Sequence, residues 1–333
     1  MKQFWWLMVG LVCVGGILVP APAKEVVATL WRASKVTNEV LVTREEWLDT
    51  SRSRIVPVKI YAPPGNGPLP VIIFSHGLGG TRDGYGYLGQ CWASHGYVSV
   101  HLQHAGSDDA VWKDAGIGER MSAMQRAAKQ PRNAMDRVLD VSFALDQLTQ
   151  LNATNAAWRG KLDLARVGVA GHSFGAYTTL ASVGAAYSAL AAGGGDARIK
   201  AAIPMSAPVP ANKNRLDDAY AGVKIPCLHM TGTEDNSPIG DTKAAERRLP
   251  FDHCKNSDQF LITFTGGDHA IFGGRERKLG GAKDAEFQRL ICQSSLAFWD
   301  AYLRDDAKAK EWLTTKFKDT LGKEGVLEVK LKK

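Results

Sequence analysis

The chain has 333 residues, 45% of them hydrophobic, enough to bury one large core, and it carries no internal repeat or low-complexity tract. Its formal charge of +7 invites a nucleic-acid reading. Much of the excess lies near the C-terminus, from Lys308 to Lys333, without aromatic residues interleaved for base stacking. A solvated basic tail fits better, with weak attachment to an anionic surface as the other reading.

Residues 1–23 read as a signal peptide. Lys2 supplies the basic region, Phe4 to Val19 the apolar region, and Ala21-Pro22-Ala23 the cleavage signal. The apolar run is shorter than the about 20 residues of a membrane span. The expectation is therefore an exported protein, periplasmic or secreted after cleavage near Ala23, with an uncleaved anchor as the alternative. No stable membrane span is expected after cleavage. Cys13 sits inside the apolar run, so no lipoprotein signal is read. Downstream, Cys91, Cys227, Cys254 and Cys292 allow three pairings in an oxidising compartment. Cys254 with Cys292 is favoured because both lie in the C-terminal third, and Cys227 reads as a core residue. There is no zinc spacing.

Glu39 to Thr43 and Ile55 to Tyr61 read as antiparallel strands, closed by Pro63-Pro64-Gly65. Val71 to Ser75 is a continuous apolar run, as in a parallel strand buried on both faces. Ser75-His76-Gly77-Leu78-Gly79-Gly80 follows it. Helix is then predicted over 85–94 and strand over 97–101. The polar stretch Ala105 to Gln130 fits neither period and reads as an excursion over the C-terminal edge of the sheet. Within it, Trp112 either lines a cleft or packs the loop onto the body. Apolar spacing after Pro131 predicts a helix over 132–148. Further strands are expected at 166–170, 199–205, 225–231 and 259–264. Helices are expected after residue 173, near 242–248, and over 284–303. Strands alternating with helices over this length mean a mostly parallel sheet covered on both faces, in one domain over 24–333 that ends in the basic tail.

Gly171-His172-Ser173-Phe174-Gly175 stands between a predicted strand and a helix, the setting of a nucleophile elbow. A serine nucleophile needs a base, an acid that orients the base, and donors for the oxyanion. The base candidate is His269, on the glycine-rich loop after the last predicted parallel strand. The acid candidate is Asp235, after the strand beginning at Ile225, with Glu234 as its direct competitor. Serine, acid and histidine thus follow in the order Ser173, Asp235, His269, each at a strand end. The backbone N–H groups of Leu78 and Phe174 are the expected oxyanion donors. His76 reads as a structural hydrogen-bonder.

Other patterns carry less. Gly84-Tyr85-Gly86-Tyr87-Leu88-Gly89 matches a dinucleotide fingerprint, but a long loop separates it from its strand. His101 and His104 with Asp108 lack the ligand spacing of a metal site. His172 and His253 show no partner signal. Neither a cofactor nor a metal is expected.

Phe74-Ser75-His76-Gly77-Leu78-Gly79, Ala93-Ser94-His95-Gly96-Tyr97, the strand-end His104 and the Ser173 pentapeptide resemble the plasma-type platelet-activating-factor acetylhydrolases. They also resemble the bacterial esterases known as predicted dienelactone hydrolases. Asp49 to Ile60, with its Arg-x-Arg-x-x-Pro-Val core, is similar too, and the resemblance spans most of 45–300. It implies an α/β-hydrolase fold and metal-independent hydrolysis of esters with short or medium acyl groups, with the roles given above for Ser173, Asp235 and His269. True dienelactone hydrolases use a cysteine nucleophile; Ser173 in that place favours ordinary carboxyl esters. The expectation is a serine esterase acting on a small-molecule ester, with no nucleic-acid partner and the oligomeric state open. A lipase, a polyester hydrolase and a peptidase are alternatives on the same fold, and a non-catalytic binding module is the alternative from another class.

Overall fold

The computed structural model describes residues 31, 37, 39–65, 67–187, 195–274 and 281–332. The predicted leader and its cleavage site lie outside the described residues.

Among the described residues, nine strands form one sheet in the order β1-β2-β4-β3-β5-β6-β7-β8-β9. In chain order, the first part runs β1 (Leu41–Asp49), β2 (Arg54–Ala62), β3 (Leu69–Ser75), α1 (Gly86–Ser94), β4 (Val98–Leu102), α2 (Arg120–Ala128) and α3 (Pro131–Thr154). The middle comprises β5 (Leu162–His172), α4 (Phe174–Ser182), β6 (Ile199–Met205), α5 (Leu216–Tyr220), β7 (Cys227–Glu234), α6 (Leu249–His253) and β8 (Gln259–Asp268). The chain ends with α7 (Asp284–Leu303), α8 (Ala307–Glu311), α9 (Phe317–Leu321) and β9 (Gly325–Lys330). The strands from β4 to β8 are parallel, and β1, β2 and β9 make antiparallel edges. This is the α/β-hydrolase architecture.

Period-two alternation along β3 explains why its whole run is apolar. Val71 and Ile73 join the core on one face, with Val141, Leu145 and Leu148 of α3 and Leu180 of α4. Ile72 and Phe74 join the core on the other, with Trp92 of α1 and Leu290, Phe298 and Trp299 of α7.

Three expectations are corrected. The disulfide joins Cys91 to Cys292, with Cα atoms 6.3 Å apart, and Cys254 is a buried free thiol. The reason is the layering. Cys91 on α1 and Cys292 on α7 meet in one core, whereas Cys254 belongs to the other. The C-terminal segment is not a free tail. Trp312, Leu313, Phe317 and Leu321 are buried among its lysines, and β9 pairs with β8 from Gln259↔Lys330 to Phe264↔Gly325. The helix expected near 242–248 is a short 3-10 turn at Ala244–Glu246 followed by α6. Pro250, which has no N–H to give, falls in the first turn of α6 and fits a helix start there.

β3 lies between β4 and β5, so the chain reverses its winding direction beside β3. Such a switch point opens a crevice at the carboxyl ends of the strands. Register pairs Ser75 with Gly171, which brings the loop after β3 against the elbow after β5.

Candidate active site

Ser173 sits between β5 and α4 with φ 58° and ψ −117°, a backbone conformation that L-residues rarely adopt. Its N–H donates to the Met205 carbonyl at 2.8 Å. The flanking glycines are required by close approach. A Cβ on Gly175 would lie 1.9 Å from the Ser75 carbonyl oxygen, and one on Gly171 would lie 2.3 Å from that of Gly175.

The structure brings Ser173, His269 and Asp235 together, although 96 residues separate the serine from the histidine. Ser173 Oγ is 2.9 Å from His269 Nε2, and His269 Nδ1 is 2.7 Å from Asp235 Oδ1. With Nδ1–H donating to the Asp235 carboxylate, Nε2 is left to accept from the serine hydroxyl. Asp235 is fully buried, and its second oxygen accepts from Ser206 Oγ at 2.5 Å and Thr231 Oγ1 at 2.8 Å. Glu234, its competitor, points to solvent.

Arg247 is a neighbour that sequence reasoning missed. It is buried and donates to the carbonyls of Asp235 at 3.1 Å and Ser206 at 2.7 Å, fixing the acid loop to the end of β6. Nothing local to its sequence marks it, because its partners lie 12 and 41 residues away. His172 was also missed. Its Nδ1 is 2.8 Å from Tyr85 OH, and its ring packs 4.6 Å from that of His269 and 5.4 Å from Phe272. Burial, aided by nearby His269 and Arg247, pushes its pKa well below the ordinary imidazole value, so the ring is neutral.

The loop after β3 is held from several sides. His76 is buried; its Nδ1 is 2.6 Å from the Gly77 carbonyl, and its Nε2 accepts the His104 N–H at 3.0 Å. Both contacts need a neutral ring, and burial lowers its pKa accordingly. Gly79 N–H donates to the Ser107 carbonyl at 2.8 Å, and Trp112 Nε1 donates to the Gly79 carbonyl at 2.8 Å. Trp112 therefore packs the 105–130 excursion onto this loop. A Cβ on Gly77 would lie 3.4 Å from Ser173 Cβ, which measures how closely loop and elbow approach. Among the described residues, the N–H groups of Leu78 and Phe174 have no hydrogen-bond acceptor.

A second Asp–His–Ser chain lies beneath. Asp140 Oδ2 is 2.9 Å from His104 Nδ1, whose Nε2 is 3.0 Å from Ser75 Oγ. All three are fully buried, so Ser75 has no access to a substrate. Burial tends to raise the Asp140 pKa, but hydrogen bonds from His104 and Arg54 outweigh it and hold the carboxyl below its usual range. Arg54 grips Asp140 through Nε at 2.8 Å and Nη2 at 2.9 Å, and Arg52 reaches it at 2.8 Å. The Arg-x-Arg pattern thus serves a carboxylate 86 residues away. His101 points elsewhere, stacking on Phe74 at 4.9 Å, and Asp108 accepts from Gln103 at 2.9 Å. Among the described residues, no group of three histidine, cysteine or acidic side chains is placed to hold a metal.

Over part of its length the chain is similar to known proteins. Residues 50–115 match the family model of platelet-activating factor acetylhydrolase, isoform II. The platelet-activating factor acetylhydrolase of Cavia porcellus is 25% identical over 295 residues, covering 77% of this chain and 63% of that protein. That of Canis lupus familiaris is 25% identical over 231 residues, covering 61% of this chain and 48% of that protein. The Bos taurus protein of the same name is 22% identical over 232 residues, 61% of this chain and 48% of its own length. The chain resembles these proteins and spans between about half and two-thirds of their length.

Proposed function

We propose that the chain is an exported serine carboxylester hydrolase of the phospholipase or esterase type, acting on short or medium acyl esters. The observation that carries this reading is Ser173 Oγ at 2.9 Å from His269 Nε2, on a strained strand-to-helix turn. In the proposed cycle, Ser173 Oγ bonds to the ester carbonyl carbon while its proton passes to His269 Nε2. The carbonyl π electrons move to oxygen, and the resulting oxyanion accepts from Leu78 N–H and Phe174 N–H. Collapse breaks the bond to the alcohol, which leaves with the proton from His269. Water then attacks the acyl-enzyme by the same route and releases the acid. Asp235 stays ionised throughout and holds the imidazole in the tautomer that leaves Nε2 free.

The acyl preference rests on the resemblance to platelet-activating factor acetylhydrolases. Export, with cleavage near Ala23 and one hydrolase domain following, is supported by the N-terminal composition and the Cys91–Cys292 bond, since structural disulfides persist in oxidising compartments. Among the described residues, no helix is long and apolar enough to cross a membrane.

The test is covalent labelling with a fluorophosphonate. One adduct on Ser173 is expected, and none in Ser173→Ala. A folded wild-type chain that takes no label refutes the enzyme and leaves a binding module on a hydrolase scaffold. Rates on p-nitrophenyl esters of graded acyl length then test the chain-length preference.

A further inference from the structure

Arg137 has no part in the chemistry described above, yet it is a fully buried cation in the second turn of α3. Such a group is costly to desolvate and is ordinarily paired with a carboxylate. Its hydrogen bonds go instead to three neutral acceptors. Nε donates to Thr178 Oγ1 at 2.8 Å, Nη1 to Ser107 Oγ at 2.9 Å, and Nη2 makes a short bond to the His76 carbonyl. The guanidinium also lies 4.6 Å from the centroid of the Phe174 ring.

Those partners belong to the three segments that surround the oxyanion donors. The His76 carbonyl opens the loop that carries Leu78. Ser107 closes the same loop from outside, because its carbonyl accepts Gly79 N–H at 2.8 Å and its hydroxyl donates to the His104 carbonyl at 3.1 Å. Thr178 is on α4, and its hydroxyl donates to the Phe174 carbonyl at 3.0 Å. The planar guanidinium thus joins the loop bearing one donor to the helix bearing the other. Its fixed fork suits that task better than a flexible ammonium.

We propose that Arg137 is a positioning residue that sets the spacing between the Leu78 and Phe174 N–H groups. It acts through the loop and the helix and touches no reacting atom. Its effect falls on the transition state, in which the oxyanion must meet both donors at once, and spares the ground state. The inference rests on the serine-hydrolase reading.

The experiment compares wild type, Arg137→Lys, Arg137→Met, Ser107→Ala and Thr178→Val on p-nitrophenyl acetate, with rates normalised to the sites titrated by a fluorophosphonate. Arg137→Met is expected to lower kcat by about 10²-fold, the size of losing one oxyanion donor, with KM within about threefold of wild type. Arg137→Lys should recover part of that loss. Ser107→Ala and Thr178→Val each remove one anchor and should each lower kcat by about 3- to 10-fold, so the inference remains testable if Arg137→Met does not fold. Unchanged kcat per titrated site in the variants that fold overturns the proposal, even where fewer sites titrate, because that outcome marks a purely structural arginine. Wild-type protein that takes no phosphonate overturns the hydrolase reading, and this inference with it.

Discussion

Asp235→Asn tests the proposed acid most directly. The carboxylate receives hydrogen bonds from Ser206, Thr231 and His269, with His269 Nδ1 only 2.7 Å away. Asparagine keeps the shape and can present its oxygen to His269 while its NH2 faces the two hydroxyls, which can accept as well as donate. The change therefore removes charge more than it removes bonds. Unit charges about 4 Å apart interact by about 4 kcal/mol at an effective dielectric of 20. That attraction exists only while His269 is an imidazolium, which is in the transition state. At about 1.4 kcal/mol per decade, the expected loss in kcat is about 10³-fold. Arg247, with Nε 3.5 Å from Asp235 Oδ1, keeps its bonds to the two main-chain carbonyls, so the loop should hold. The assay is steady-state hydrolysis of p-nitrophenyl acetate, with thermal melting as a control and Glu234→Gln as the comparison. Glu234→Gln should stay within about twofold of wild type. A folded Asp235→Asn with near-normal kcat, or an equal loss in Glu234→Gln, refutes the assignment.

Three further outcomes follow from the geometry. Gly175→Ala puts a Cβ 1.9 Å from the Ser75 carbonyl and should cost more than about 3 kcal/mol together with most of the activity; a wild-type denaturation midpoint would contradict this. Replacing both Cys91 and Cys292 by serine should lower stability by about 2–4 kcal/mol, read from urea midpoints under oxidising conditions, whereas wild type should fall to the same level in reductant. Burial lowers the pKa of His101 to about 3 and those of His104 and His229 to about 4, below the about 6.5 of an unfolded imidazole. The unfolded chain then binds more protons in acid, so this stability is fully present above about pH 6.5 and is lost as pH falls toward about 4. Between pH 6.5 and pH 5 the loss should be about 1 to 2 kcal/mol per histidine, and a urea midpoint that stays level across that range contradicts it.

What could be read from the sequence was local. The elbow is written in five residues because strand, turn and helix succeed one another there, and the loop at Leu78 is legible because β3 is apolar on both faces. The order of serine, acid and histidine is also visible along the chain. Local pattern fails where partners are distant. Arg137 reaches His76 across 61 residues and Arg54 reaches Asp140 across 86, and neither separation leaves a spacing to detect. In the C-terminal segment, net charge masked structure. Lys316 and Lys318 flank a buried Phe317, so a segment that reads as basic by composition packs as an amphipathic one. β1 runs through Arg44-Glu45-Glu46, a composition that disfavours strand, because an edge strand exposes much of its length to water.

The two cores on opposite faces of the sheet also sort the thiols. Among the described residues the cysteines are made in the order Cys91, Cys227, Cys254 and Cys292, and the bond joins the first to the last across 201 residues. Both intervening cysteines emerge before the correct partner does. Once the strands assemble, the sheet stands as a wall between Cys91 and those two competitors. In the assembled fold only Cys292 is placed to meet Cys91, and the bond works as a latch across that one core. A Cys91–Cys292 bond therefore reports that α1 and α7 have packed against the same face of the sheet.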